Sequence, residues 1–294
     1  MKKIVSLLFA LLLSNAVYAT TNTVKVIIPF APGGGVDQTM RHFEKWVAKK
    51  DIKLVPVYKP GAEGLIGMNE IASAPNDGSV ISFATVATLA IQRTKNPEAQ
   101  VIPITGIKTS VMAVITNTDS EIKSFDDLYK GDNVKTFGQG APAQKIFIDQ
   151  IIKNSQGKIK SVVAPYKGGG PVVQDVLGNH IMIGVVPLQI AKSQIDSGKI
   201  RLLAVGSKNR LSEFPNSPSI FEFFKSWKNN DGFLVVLPKN SSPTAIKYWN
   251  DLLLEYVTDK QVQQDFLKEY TESMPFGVNH LEPLVKNAMA EIEK

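Results

Sequence analysis

Three times in this chain a short β-branched run gives way to a glycine-containing loop and then to a helical periodicity. The loops are Pro29-Phe30-Ala31-Pro32-Gly33-Gly34-Gly35, Gly138-Gln139-Gly140-Ala141-Pro142 and Tyr166-Lys167-Gly168-Gly169-Gly170-Pro171. Short strands alternating with helical segments build parallel sheets with crossover helices, so the fold class is α/β. Pro142 and Pro171 fall where a helix would begin, a position at which the missing N–H costs nothing. Such glycines can simply make tight strand-to-helix turns. They can also admit a ligand to the backbone, where the free N–H groups of a first helical turn, at the positive end of the helix dipole, form an anion cradle. One loop fits either reading; three favour the cradle.

The rest of the chain repeats the opening unit. Val24 to Ile28 reads as a buried strand, and Val36, Met40, Phe43 and Val47 recur at helical spacing. Further strands are expected at Leu54 to Tyr58 and Val80 to Thr85, and in a second series at Ser110 to Thr116, Val134 to Phe137, Ser161 to Ala164 and Ile181 to Val186. A helix is expected from Ala143 to Lys153. The strand Gly232 to Leu237 leads the chain back, and an amphipathic helix from Ala245 to Val257 opens a helical tail that packs on the first lobe. Residues 20–109 with 226–294 are expected to form lobe 1 and residues 110–225 lobe 2, the two crossings making a hinge.

The amino terminus adds a location. Lys2 and Lys3 precede the apolar run Ile4 to Leu13, and Val17-Tyr18-Ala19 supplies small residues at a cleavage point, the layout of a secretory signal peptide cleaved near Ala19. The run is shorter than the roughly 20 residues a membrane anchor needs. The 275 residues left from 294 suffice for two cores. With no Cys, the exported chain relies on core burial rather than disulfides, which points to a bacterial periplasm. The formal charge of +6 loses two units with Lys2 and Lys3, and the remaining Lys residues form no basic stripe, so no nucleic-acid partner is expected.

Other uses of glycine-rich loops fail on spacing. No Gly-Lys-Ser/Thr follows four residues after a glycine, and a dinucleotide fingerprint starting at Gly33 or Gly35 would need glycine where Gln38 and Met40 stand. Neither a G-x-S-x-G elbow nor an H-E-x-x-H helix is present. His42, His180 and His280 are scattered and read as structural, with no metal-ligand spacing to carboxylates, and Asp126-Asp127 after Ser124 reads as a helix cap. No enzyme, cofactor or metal is therefore expected. Charge-assisted hydrogen bonds contribute about 1.5–3 kcal/mol each. Three or four approach the roughly 8 kcal/mol of micromolar affinity, so backbone donors can hold a small acid, with Lys167 adding charge if it faces the cleft.

Val26 to Gly34 with Asp37, Lys59-Pro60-Gly61-Ala62-Glu63-Gly64-Leu65-Ile66-Gly67 and Ala74-Pro75-Asn76-Asp77-Gly78 strongly resemble the Bug family, the binding proteins of tripartite tricarboxylate transporters. Tyr166 to Pro171 with Asp175, Ser197 to Val205, and Arg210 ahead of Pro215 look like the same family's later motifs, in the same order over essentially the whole mature chain. The resemblance implies a two-lobed periplasmic-binding-protein fold, of the Venus flytrap, type II-like kind, with a ligand cleft between the lobes. It implies a monomeric receptor for a small carboxylated ligand, with the transporter's membrane permease subunits as partner. By position, the candidate ligand-binding residues are Phe30, Ala31, Gly33, Gly34, Gly35 and Thr85 in lobe 1, and Gln139, Gly140, Ala141, Tyr166, Lys167, Gly168, Gly169 and Pro187 in lobe 2. Asp37 is expected to cap its helix.

Departures from the family pattern bear on the ligand. The stretch before Val134 is short, the segment Gly184 to Pro187 lacks an acidic residue often found there, and Phe233 replaces a small residue after a Trp. Loss of that acid favours a ligand without an amine. The same pocket would also serve a sensor presenting its ligand to a membrane signalling protein.

Overall fold

Apolar runs with residues for both faces of a sheet condense here into two five-stranded sheets. The computed structural model describes residues 23–98, 101–225, 227 and 232–292. The expected signal peptide with its cleavage point near Ala19, and the boundary residue 226, lie outside the described residues.

The first sheet takes β1 (Thr23–Ile28), β2 (Lys53–Tyr58), β3 (Val80–Thr85), β4 (Val101–Thr109) and, late in the chain, β10 (Gly232–Pro238), in the order β2-β1-β3-β10-β4. The second takes β5 (Met112–Asn117), β6 (Lys135–Gln139), β7 (Ser161–Pro165), β8 (Ile183–Pro187) and β9 (Ile200–Val205), in the order β7-β6-β8-β5-β9. Both follow one plan. Three parallel strands lead, and a fourth runs antiparallel to both neighbours: β10 between β3 and β4, β5 between β8 and β9. In each sheet that antiparallel strand follows a crossing from the other sheet. Only Ser110 and Val111 separate β4 from β5.

Helices α1 (Gly35–Val47), α2 (Leu65–Ala72) and α3 (Val86–Lys95) connect the first sheet; α4 (Pro142–Asn154), α5 (Gly169–Leu177), α6 (Leu188–Asp196) and the one-turn α7 (Ile220–Phe223) belong with the second. Alternation along β1 divides the core: Val26 and Ile28 join Phe43, Phe83, Trp249 and Tyr256 on one face, while Ile27 joins Met68, Leu89 and Leu234 on the other. The tail helices α8 (Pro243–Thr258), α9 (Lys260–Lys268) and α10 (Val278–Ile292) cover the first sheet, as expected. One residue departs from that: Tyr270, between α9 and α10, packs on the second sheet's core beside Phe214, ring centroids 5.7 Å apart.

Candidate functional site

All the glycine loops lie where parallel strands end. In the first sheet the chain winds outward from β1 to β2 on one side and to β3 on the other; in the second it does so from β6 to β7 and β8. This topological switch leaves a crevice beyond the carboxyl ends of the central strands, the usual ligand position in an open α/β sheet. Here the two crevices face each other. Phe30, Gly34, Gly35 and Thr85 from one side, with Gly140, Ala141, Gly168, Gly169 and Pro187 from the other, line one narrow cavity of about 20 Å³, room for about one water.

Four of the helices that start at this cavity have no side-chain cap. The residues preceding α1, α4, α5 and α6 are Gly34, Ala141, Gly168 and Pro187, none of which caps with its side chain. Side-chain caps serve α3, through Thr85 which also lines the cavity, and α7, α8 and α9, through Ser219, Ser242 and Asp259, whereas Gly64 before α2 makes none. A one-turn 3-10 helix at Phe125–Tyr129 has a capping box made by Ser124 and Asp127, as the sequence suggests. At the cavity the third helical residue instead turns back to steady the loop: Asp37 Oδ2 accepts the Gly33 N–H at 2.8 Å and Gln144 Oε1 accepts the Gly140 N–H. Four helix starts thus gather around one small space, each with a dipole's positive end toward it, although the Gln144 and Leu188 N–H groups are already taken by the Ala141 and Val111 carbonyls at 3.0 and 2.8 Å and Pro142 and Pro171 have none.

Backbone meets backbone across this space. The Ala31 N–H donates to the Lys167 carbonyl at 2.7 Å, joining the β1–α1 loop to the β7–α5 loop. Within the second lobe a Cβ on Gly140 would overlap the backbone of Gly168 and Gly169, so only glycine lets these two loops touch. Gly168 itself has φ +143°.

An aspartate and a tyrosine stand behind each anchoring loop. Asp37, 7 % exposed, accepts the Tyr58 hydroxyl at 2.9 Å besides the Gly33 N–H, and lies 3.5 Å from the Arg41 guanidinium. In the second lobe the Tyr166 hydroxyl donates to Asp175 at 2.6 Å. Burial, and then that bond to a carboxylate, push the Tyr166 phenol up to about 12. Tyr58 is raised for the same two reasons, in the same order.

The predicted residues divide into three groups. Nine line the cavity; Gln139, Tyr166 and Lys167 instead join Phe30, Gly140 and Ala141 around an adjoining chamber of about 310 Å³. Ala31 and Gly33 line neither: Ala31 makes the interlobe bond, and Gly33, at φ +79°, turns the chain toward Asp37. Thr85 caps α3, accepting the Thr88 N–H at 3.1 Å. The sequence reading missed Val36, Met112, Ala143, Gln144 and Phe233 in the cavity and Gly61 to Gly64 in the chamber. Gln144 had a signal, being the acceptor at the third position of a proline-led helix. Phe233 had one too, as a departure from the family pattern, and its ring lies where a Gly35 side chain would project, 2.9 Å from the Cβ position. Among the described residues no group of three His, Asp or Glu is placed to hold a metal ion, and no helix is long and apolar enough to cross a membrane.

Residues 41–271 match the family model described as "Tripartite tricarboxylate transporter family receptor". The chain belongs to that family. It is a family of solute-binding receptors, not of enzymes. Protein BugT of Bordetella pertussis is 25 % identical over 257 residues, covering 83 % of this chain and 78 % of that protein. The periplasmic binding protein BugD superposes with a TM-score of 0.82 at 20 % identity, over 92 % of this chain and 96 % of BugD. Rpa4515 of R. palustris, solved with adipate, superposes with a TM-score of 0.84 at 18 % identity, over 94 % of this chain and 96 % of that one. The fold is therefore the two-lobed periplasmic-binding-protein fold.

Proposed function

We propose that this chain is exported to the periplasm, with cleavage near Ala19, where as a monomer it closes on a small carboxylate, a di- or tricarboxylate or related organic acid, and delivers it to the membrane permease of a tripartite tricarboxylate-type transporter. One observation carries the reading: four helix N-termini without side-chain caps, drawn from both lobes, converge on one cavity. Neutral backbone donors with dipoles behind them suit an anion. The adipate in the Rpa4515 structure supports an organic acid. Residues 20–109 with 226–294 and residues 110–225 would be the moving lobes. The cavity's size requires them to part for entry, which breaks the Ala31–Lys167 bond. A neutral hydrogen bond contributes about 1 kcal/mol and charge-assisted ones about 1.5–3 each, so exchanging it for several bonds to a carboxylate is favourable.

Thermal melts of the mature protein against a panel of small carboxylic acids test this. An acid at a hundred times its Kd stabilises by about 2.7 kcal/mol, a rise of roughly 5 °C for a chain of this size. Gly34→Leu is expected to abolish the rise. Its backbone, at φ −76°, accepts a side chain, and the nearest atoms to the new Cβ are the Ala31 carbonyl at 3.4 Å and the Gly169 N–H nitrogen at 3.9 Å, so leucine folds but fills the cleft. No response to any acid overturns the reading; a response that survives in Gly34→Leu removes the first loop from the site.

A further inference from the structure

Away from the cleft loops the lobes also meet through Tyr270. Its ring centroid lies 5.7 Å from that of Phe214, and the Lys192 ammonium stands 5.7 Å from the Phe214 ring and 5.9 Å from the Tyr270 ring. Phe214 and Lys192 belong to the second lobe, whereas Tyr270 comes from the tail that covers the first.

Local backbone does not ask for a tyrosine there. Tyr270 follows the end of α9: its N–H donates to the Leu267 carbonyl at 3.0 Å and the Thr271 N–H to that of Phe266 at 2.9 Å, the paired bonds of a Schellman motif. A residue in this place takes positive φ, here +60°, which glycine adopts freely and tyrosine only under strain. Packing of the ring on the second lobe offsets that strain. The hydroxyl works against it, since its oxygen is buried and has no hydrogen-bond partner among the described residues.

Both sides of Tyr270 are bound to the first lobe. Glu269 takes the ammonium of the buried Lys108 on β4. Beyond Tyr270, the Glu272 carbonyl accepts the Thr109 N–H at 2.8 Å and the Met274 N–H reaches the Ile107 carbonyl at 3.0 Å. The ring is therefore fixed to one lobe while its contacts, Phe214 and Lys192, are fixed to the other.

We propose that Tyr270 is a positioning residue that sets the balance between closed and open lobes, its ring favouring closure and its unpaired hydroxyl opposing it. The proposal rests on the reading that the lobes part for ligand entry. A ring fixed to the first lobe cannot follow the second when it turns about Ser110 and Val111, so opening takes the ring off Phe214 and admits water to the hydroxyl. Tyr270 lines neither the cavity nor the chamber. It therefore changes how much unliganded protein is closed, and with it the apparent affinity for every ligand by one common factor.

The chain has no Cys, so Ser73→Cys and Lys153→Cys, at exposed residues near the ends of α2 in the first lobe and α4 in the second, carry the only spin labels. Pulsed electron resonance of the mature protein, unliganded and with excess adipate, succinate or citrate, then reads the interlobe distance. Two distances are expected, one of them that of the closed arrangement described above. Tyr270→Gly, which suits the local backbone, is expected to lower the closed-to-open ratio of the unliganded protein about tenfold; Tyr270→Phe, which keeps the ring and drops the hydroxyl, is expected to raise it about threefold. A merely structural role moves melting temperature and leaves this ratio alone. Any other pattern, equal ratios or shifts in one direction among them, overturns the proposal and leaves the cleft reading standing. A wild type that keeps a single distance under every condition overturns the moving lobes and the proposal together.

Discussion

The two lobes hold their anchoring loops with the same pair of residues used in opposite ways. In the first, the aspartate on the helix grips the loop backbone: Asp37 takes the Gly33 N–H, and Tyr58 reaches in from β2 to occupy its other oxygen. In the second, the tyrosine is part of the loop, and Tyr166 reaches out to Asp175 on α5. Surroundings differ as much as direction. Asp37 is 7 % exposed, whereas the Asp175 side chain is 35 % exposed and has His180 3.4 Å away. One clamp is buried and the other solvated, so the first loop's anchor is expected to be the stiffer of the two.

Removing each aspartate is the strongest way to break that comparison. Asp37→Ala takes a buried carboxylate from an exposed loop N–H, from a half-buried tyrosine hydroxyl and from one side of Arg41, which keeps Glu44 at 2.7 Å; at about 1 kcal/mol per lost hydrogen bond this amounts to roughly 2 kcal/mol, or about 4–8 °C in melting temperature. Asp175→Ala, whose partners are open to water, is expected to cost much less. Urea unfolding of the two variants measures both, and equal losses would show that burial does not separate the clamps.

The tyrosines make a smaller and more selective pair. Tyr58→Phe removes a donor to a buried carboxylate and an acceptor for Arg41, whose Nη2 lies 2.9 Å away, at an expected cost of about 1–2 kcal/mol. Tyr166→Phe is expected to cost less, but it has a spectroscopic signature. In an alkaline titration followed by tyrosinate absorbance, one phenol ionising near pH 12 should be missing from that variant. If the loss appears instead near the ordinary value of 10, the hydroxyl is not committed to Asp175 in solution.

How much of this was readable beforehand follows from what each feature depends on. The three loops, the central parallel strands and the α/β class were legible because glycine, proline and β-branched runs report local backbone directly. β4 escaped notice because Pro103 and Gly106 interrupt it, and it is a strand only because β10 pairs along it. Helix α3 was hidden for the opposite reason: Val86 to Gln92 are all buried, so no polar face betrays the period. Gly61 to Gly64 could be recognised as a motif but not as a wall of the site, because its left-handed turn and its seat on Phe30 are tertiary. Phe233 stood out from the family pattern on a strand expected to lead the chain back, but its contact with Gly35 across the sheet is tertiary and no local pattern encodes it.

The lobes also differ in how they treat histidine, and this yields the smallest effect. His42 on α1 sits behind the cradle, its Nδ1 2.8 Å from the Tyr256 hydroxyl and its ring 5.3 Å from that of Phe266. Burial is the largest influence and pushes its pKa below 6.5; the Lys108 ammonium lowers it further, while Glu269 and Asp265 pull it partly back. Because the folded value lies below the unfolded one, in the window just under pH 6.5 the unfolded chain takes up a proton that the folded chain refuses. Stability is therefore expected to fall as pH drops through that window, before carboxylates such as Asp265, with its ordinary value of 3.8 and a lower folded one, begin their own loss. Melting temperatures between pH 7.5 and 5 should show the first decline in wild type and a flatter profile in His42→Gln, which can keep a hydrogen bond to Tyr256. An unchanged slope in that variant would move the titrating group elsewhere and leave the first lobe's cradle without a pH-sensitive support.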